Sequence, residues 1–376
     1  MEVYLDNAAT TRVCTEAADI AYKVMTEVYG NPSSTHTKGR EAKAYLDTAR
    51  SQIASALGCN ANEVYFTSCG SESDVWAITK GAESLSRRGK HIISSAVEHD
   101  AVRKTLQELE SRGFEVTYLA PEKDGSVSVE SVKSALRDDT ILVTLMMVNN
   151  ETGGVTDIAA VAKMLKASGS KALLHTDAVQ GFMKVPFSAK KLGADMISIS
   201  GHKIHAPKGI GALYIKTGVK IKPLIRGGAQ ESGLRAGTEA MPQIAAFGAA
   251  AELAHKGMAE SCERMARLRT LAAETICGDM PEALVIGGGA PHVLSVSLPG
   301  WRSEVLMNFL EAEGIFVSRS SACKKGGRSH VLEAMGLPAQ VIDGAVRISF
   351  SRYSTKEDVL ALGAALKRAH DTLAHR

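Results

Sequence analysis

Seven short apolar, β-rich runs, most of them separated by stretches that suit a helix, limit what this chain can fold into. They cover residues 64–68, 91–96, 115–119, 141–148, 172–176, 196–200 and 212–215. Residues 100–112, 129–136 and 158–167 between them are compatible with helices. Strands that alternate with helices build a largely parallel sheet covered on both faces. The last two runs are too close for a crossover helix, so residues 212–215 are expected to run antiparallel.

The expected fold class is therefore α/β, with a mainly parallel seven-stranded sheet and helices on both faces. At 376 residues the chain can hold two domains. Beyond the sheet, strand-like runs at 284–286, 293–298 and 346–350 alternate with helical stretches at 303–312 and 355–373. They describe a smaller α+β domain, reached through a long amphipathic stretch at 259–276. The expected division is a large domain over residues 15–255 and a small one from residues 1–14 and 256–376. Residues 1–15 read as short and irregular. Within them, Asp6-Asn7-Ala8-Ala9-Thr10-Thr11 reads as a loop of small residues that lets other backbone come close.

Composition removes several function classes. The net charge of +3, from 44 basic and 41 acidic residues, is too small to imply nucleic acid. The first residues lack the basic and apolar regions of a signal peptide. No apolar run reaches the roughly 18 residues of a membrane helix. The six cysteines show no Cys-x-x-Cys pairing, which reads as free thiols in a reducing cytosol. A cytoplasmic location is expected. The chain has no Gly-x-Gly-x-x-Gly after its first strand, no Gly-x-x-x-x-Gly-Lys-Ser/Thr and no Gly-x-Ser-x-Gly. His202-x-x-His205 has metal-like spacing but no third ligand near it, so no metal is expected.

In an open parallel sheet, ligands bind outside the carboxyl ends of the strands, and polar residues recur there. Ser68-Cys69-Gly70-Ser71-Glu72-Ser73-Asp74 follows the first run, with Ser71-x-x-Asp74 readable as a capping box. A helix N-terminus after a glycine turn suits a phosphate, which Ser200 and His202 could also hold. Glu98-His99, Asn149-Asn150 and Asp177-Ala178-Val179-Gln180 follow three further runs. Lys203 follows the sixth, in Ser200-Gly201-His202-Lys203. A lysine near other cations, or desolvated, loses its proton readily enough to form a Schiff base. Each feature alone has a bland alternative: a hydrogen-bonded histidine, a turn, a helix cap, a surface lysine. Together they supply a phosphate cradle, a flat ring partner, a buried acid and an imine-forming lysine, which suits pyridoxal 5'-phosphate. In the second domain Cys323 lies in a small-residue loop followed by several cations, which favour its thiolate. Arg347, on a strand, could grip a carboxylate through two hydrogen bonds or form a surface ion pair.

With these residues assembled, the chain resembles the cysteine desulfurases of the NifS/IscS type, in the class V aminotransferase group of fold-type I pyridoxal-phosphate enzymes. The likeness runs from Tyr4-Leu5-Asp6-Asn7-Ala8-Ala9-Thr10-Thr11 through Gly30-Asn31-Pro32-Ser33-Ser34, Glu98-His99, Val148-Asn149-Asn150-Glu151, Asp177-Ala178-Val179-Gln180, Ser200-Gly201-His202-Lys203 and Ser321-Ala322-Cys323 to Arg347-Ile348-Ser349. The resemblance implies that Lys203 carries the cofactor as a Schiff base and later moves the Cα proton. It implies Asp177 on the pyridinium nitrogen, His99 stacked on the ring and transferring protons, and Gln180 on the ring phenolate with Asn150 nearby. Gly70, Ser71, Ser200 and His202 would serve the phosphate, joined by Thr238 from the other subunit of a homodimer. Arg347, Asn150 and Asn31 would meet the substrate, L-cysteine. Cys323 would take its sulfur as a persulfide, release alanine and pass the sulfur to an acceptor protein for iron–sulfur cluster assembly or tRNA or cofactor thiolation.

The chain departs from the family pattern in places. Ser320 and Arg319 stand where glycine and a small residue are usual, and Cys69, Ala206, Ala229, Ser232 and His205 also differ. Losing a glycine stiffens a loop that must swing. Two alternatives follow: a selenocysteine lyase or another β-lyase of the same group, and a silent scaffold that binds a sulfur-transfer partner.

Overall fold

The computed structural model describes residues 2–319 and 327–373. Strand β1 (Val3–Tyr4) comes first, then helices α1 (Thr15–Thr26) and α2 (Thr37–Leu57). The large sheet takes β2 (Val64–Thr67), β3 (His91–Ser95), β4 (Glu115–Leu119), β5 (Thr140–Met146), β6 (Leu173–Asp177), β7 (Met196–Ser200) and β8 (Gly211–Ile215). Between these lie α3 (Gly70–Leu85), α4 (Asp100–Ser111), α5 (Val129–Ala135), α6 (Ile158–Ala167) and the single turn α7 (Ala189–Leu192). The strand order is β2-β8-β7-β6-β5-β3-β4. Strands β3 to β7 pair in parallel, whereas β8 is antiparallel to both neighbours, as its short connection from β7 requires.

Every residue of β3, β5, β7 and β8 is buried, which explains why these strands read as apolar runs and not as an alternation. One face is filled by Ile93, Val143, Leu145, Ile197 and Ile199 against α2, α6 and α8 (Met241–Lys256). The other is filled by Ile92, Leu142, Met196 and Leu213 against Trp76 and Ile78 of α3 and Leu106 of α4. Trp76, fully buried, satisfies its indole N–H on the carbonyl of Lys222 at 3.0 Å.

A separate core forms around α9 (Met258–Asp279), α10 (Ser303–Ala312) and α13 (Lys356–Thr372). They pack with an antiparallel sheet of order β12-β13-β10-β9: β9 is Leu284–Ile286, β10 Val293–Ser297, β12 Ser318–Arg319 and β13 Ala345–Ser349. Strand β11 (Ile315–Phe316) pairs in parallel with β1. The start of the chain is thus a strand, where the sequence suggested irregular backbone, and Val3 and Leu5 are buried in the second core. Two-residue strands carry too little pattern to be read from sequence. This pairing places residues 6–9 between β13 and the carboxyl edge of the large sheet: Asp6 bridges Ser349, and Asn7 Nδ2 donates to the Ser349 carbonyl at 3.0 Å. The short helices α11 (His330–Ala334) and α12 (Ala339–Asp343) complete this unit. No helix among the described residues is long and apolar enough to cross a membrane.

Candidate active site

A cavity of about 350 Å³ opens at the carboxyl edge of the large sheet. Its walls include Gly70, Ser71, His99, Asn150, Asp177, Gln180, Ser200, His202, Lys203 and Arg347, all expected at one site from the sequence. Two others are not there. Asn31 is exposed, its Oδ1 accepting from the Ser33 amide, and Thr238 is exposed on another loop. Cys323 lies outside the described residues.

Lys203 ends the turn that leaves β7, and its Nζ donates to the carbonyls of Ala8 and Ala9, both at 2.7 Å. The small side chains of the N-terminal loop allow that approach. Burial, helped by the Arg347 charge, pushes the Lys203 amine down to about 8 from an ordinary 10.5. Asp177 and Asp6 oppose the shift.

Asp177 ends β6, buried, with Oδ1 accepting from the Val179 amide at 2.9 Å. Burial raises its pKa, while His99 and Lys203 pull it back. For the fully buried Asp74, desolvation and then the Asp177 charge push the carboxyl well above the carboxylate range. Both carboxyls are pushed upward, and of the two Asp177 has His99 and Lys203 to favour its charged form. His175 stands 3.7 Å from Asp74 but stays neutral, since burial pushes it down to about 3. Its ring is held between the hydroxyls of Thr144 at 2.8 Å and Ser198 at 2.9 Å.

The capping box expected from Ser71 and Asp74 is not formed. Helix α3 begins at Gly70, its N-cap Cys69 makes no side-chain cap, and Asp74 faces the sheet interior because α3 packs on β7 and β8. Glu72 serves this end instead, accepting from the Ser68 amide at 2.9 Å and from Arg235 Nε at 2.8 Å.

His99 caps α4, and its Nδ1 accepts from the Ala101 amide at 3.1 Å, which leaves the ring proton of the neutral form on Nε2. Glu98 is buried and accepts from Ser95 Oγ and, at 3.1 Å, from the Met146 amide. Desolvation raises its pKa to about 8, so it is protonated at neutral pH. Gln180 donates to the Ala8 carbonyl at 2.8 Å, and its Oε1 lies 3.2 Å from His292 Nε2. Burial and Lys203 push His202 down to about 4, and its Nδ1 lies 3.2 Å from Thr10 Oγ1. Arg347 is only 2% exposed; it is no surface ion pair. It donates to Asp6 Oδ1 at 2.8 Å and to the Asn150 carbonyl at 3.0 Å.

Sequence reasoning assigned no role to Asp6 or His292 and read Asp74 only as part of a helix cap. Asp6 could have been found: it lies in the small-residue loop beside a strand arginine. Nothing in the sequence marks the burial of the other two.

These residues fit pyridoxal phosphate. Ser200 Oγ is buried with no hydrogen-bond partner among the described residues. The first-turn amides of α3 have no partner within the helix. A Cβ added at Gly70 would lie 2.6 Å from Val179 Cγ2, so glycine keeps that cradle open. An amine, a carboxylate and a flat imidazole border the same space.

The sheet and its edge define a fold-type I pyridoxal-phosphate architecture. The chain belongs to the aminotransferase class-V family, whose model matches residues 3–362. Among curated relatives, "Cysteine desulfurase IscS" of Methanosarcina thermophila is 44% identical over 95% of this chain and 89% of its own length. "Cysteine desulfurase 1" of Trichormus variabilis is 41% identical over 95% and 90%. Among solved structures, a NifS-like protein aligns with a TM-score of 0.94 at 38% identity, covering 99% of this chain and 100% of that one. A NifS-like protein from Rickettsia africae aligns at 0.88 and 30% identity, covering 99% and 100%.

Proposed function

We infer that this chain is a pyridoxal-phosphate-dependent cysteine desulfurase, converting L-cysteine to L-alanine and carrying the sulfur on Cys323. The single observation that supports the reading best is one cavity walled by Lys203, Asp177, His99 and Arg347 in a chain 44% identical to a named cysteine desulfurase.

Bound in that cavity, pyridoxal phosphate would supply an electron sink for the substrate Cα and an aldehyde for an amine. Lys203 offers the amine, and burial beside Arg347 makes it neutral often enough to react. The same Nζ would take the substrate Cα proton. Asp177 would pair with the ring nitrogen, its charged form favoured by His99 and Lys203. His99 offers its flat face and a proton on Nε2. Ser71, Ser200, His202 and the start of α3 would hold the phosphate, and Gln180 would serve the ring oxygen. Arg347, fixed by Asp6, binds the substrate carboxylate beside Asn150. The Cys323 thiolate attacks the substrate sulfur: an S–S bond forms, the Cβ–S bond breaks, and its electron pair stays on the carbon that becomes the alanine methyl. Asn31 remains a candidate substrate contact from sequence alone.

The working unit is a homodimer in which Thr238 reaches the partner's phosphate. Tyr22, Met25 and Tyr29, exposed at 66%, 56% and 71%, give α1 and the following loop an apolar face suited to such contact. Residues 15–255 act as the cofactor domain, and residues 1–14 with 256–376 as the small domain. The persulfide passes to an acceptor protein in the cytoplasm.

The test is the visible spectrum before and after L-cysteine, with assays for alanine and persulfide. Cys323→Ala should keep the cofactor band and lose persulfide. Undiminished sulfur release by that variant would overturn the reading.

A further inference from the structure

A second, smaller chamber shares Lys203 with the main cavity. Its volume is about 30 Å³, and it lies on the seam between the two cores. Lys184, Lys203 and His205 reach it from the large unit; Ser261, Ser351 and Arg352 reach it from the small one. Among the described residues, no carboxylate lines it.

Lys184 is the unusual residue. It is 5% exposed, and its Nζ has no hydrogen-bond partner among the described residues. The preceding Met183 holds φ at 59°, in the left-handed region that a non-glycine residue rarely adopts. Arg352 Nε in the same wall and the nearby buried His292 Nδ1 are likewise unsatisfied. Lys203 and Arg347 both act on the Lys184 ammonium, and Lys184 acts on His292, so the field here is positive from several directions. Arg352 stays charged whatever the lysines do.

Burial, with the Lys203 and Arg347 charges, pushes the Lys184 amine down to about 7, and a buried amine that still carries charge part of the time without a partner calls for a counter-ion. Water alone would solvate the amine without balancing the charge. The walls offer an ammonium, a guanidinium and two hydroxyls, a set rich in donors, and about 30 Å³ admits one small ion. We propose that this chamber binds one small inorganic monovalent anion of chloride size, held by Lys184 and Arg352 with the hydroxyls of Ser261 and Ser351. Such an ion joins the two units of the fold and balances the positive field beside Lys203. The proposal is independent of the desulfurase reading, since it concerns binding and not turnover.

Two measurements on the holoenzyme test it. Crystals soaked in bromide should show an anomalous peak within the chamber. In solution, chloride titrated against gluconate at constant ionic strength should raise the unfolding midpoint saturably, by about 2–4 °C. Lys184→Met should abolish that rise and Ser351→Ala weaken it. No bromide peak at saturation, or an equal response in Lys184→Met, would overturn the proposal. If Lys184→Met does not fold, diffraction from the unaltered protein decides.

Discussion

Arg347 donates through Nη2 to Asp6 Oδ1 at 2.8 Å, joining residues 341 positions apart in sequence. The contact exists because β1 docks beside β11 and carries Asp6 against β13. Arg347 keeps one more bond, to the Asn150 carbonyl. A guanidinium held at two points presents a fixed fork, which is what recognition of a carboxylate by two hydrogen bonds needs.

Asp6→Asn should therefore act on substrate binding before chemistry. The expected outcome is a rise in KM for L-cysteine of about five- to tenfold, worth roughly 1–1.4 kcal/mol, with kcat changed by less than about twofold. Steady-state kinetics on fully loaded enzyme check this. A fall in kcat at unchanged KM would place Asp6 elsewhere in the reaction.

Lys203 sets a pH dependence for cofactor capture. Only the neutral amine attacks an aldehyde, and the folded amine titrates near 8, not 10.5. Apo protein mixed with pyridoxal phosphate should form its Schiff-base band at a rate that climbs through pH 8 and levels off above it. Stopped-flow absorbance reads the midpoint. A rate still climbing at pH 10 would show that burial and Arg347 do not depress the amine.

The main sheet was legible because its inner strands are buried on both faces and most of its strands are spaced by helix-sized segments, so pattern and burial agreed. The reversed strand β8 was legible from chain length alone. The cavity's lining was legible wherever polar residues fall at or just after a strand's end, as at His99, Asp177 and Lys203. What escaped depended on long-range packing. The buried Asp74 looked like a helix cap because only the α3–sheet contact reveals which way it faces. Likewise β1 is two residues long, and its identity comes from a partner more than 300 positions away.

Glu98 predicts a stability signature. Its folded pKa is raised from 4.5 to about 8, so the folded state holds a proton that the unfolded state releases. Stability from this group is full below 4.5 and declines as pH rises toward 8. Glu98→Gln keeps an acceptor for Ser95 and Met146 but cannot ionise. Its melting temperature should match that of the unaltered protein near pH 4.5 and exceed it by an amount that grows to pH 8, on the order of 5 °C, then levels off. A constant difference across pH would show that Glu98 is ionised in the folded state.

Gly70 offers a test of the phosphate cradle. Its backbone is helical, so alanine is conformationally acceptable there and even favoured by helix propensity. The obstacle is steric: the new Cβ would meet Val179 Cγ2 at 2.6 Å and Ser200 Cβ at 3.4 Å. Either α3 or the Val179 turn must move, and both border the space that the phosphate would fill. Gly70→Ala should weaken pyridoxal-phosphate binding to apo protein by about tenfold or more, read by fluorescence titration, with little change in melting temperature of the apo form. Val179→Ala removes the clashing methyl groups, so the Gly70→Ala/Val179→Ala pair should recover most of the lost affinity. That non-additivity separates crowding from a generic defect. Additive losses would mean that the start of α3 is not where the phosphate sits.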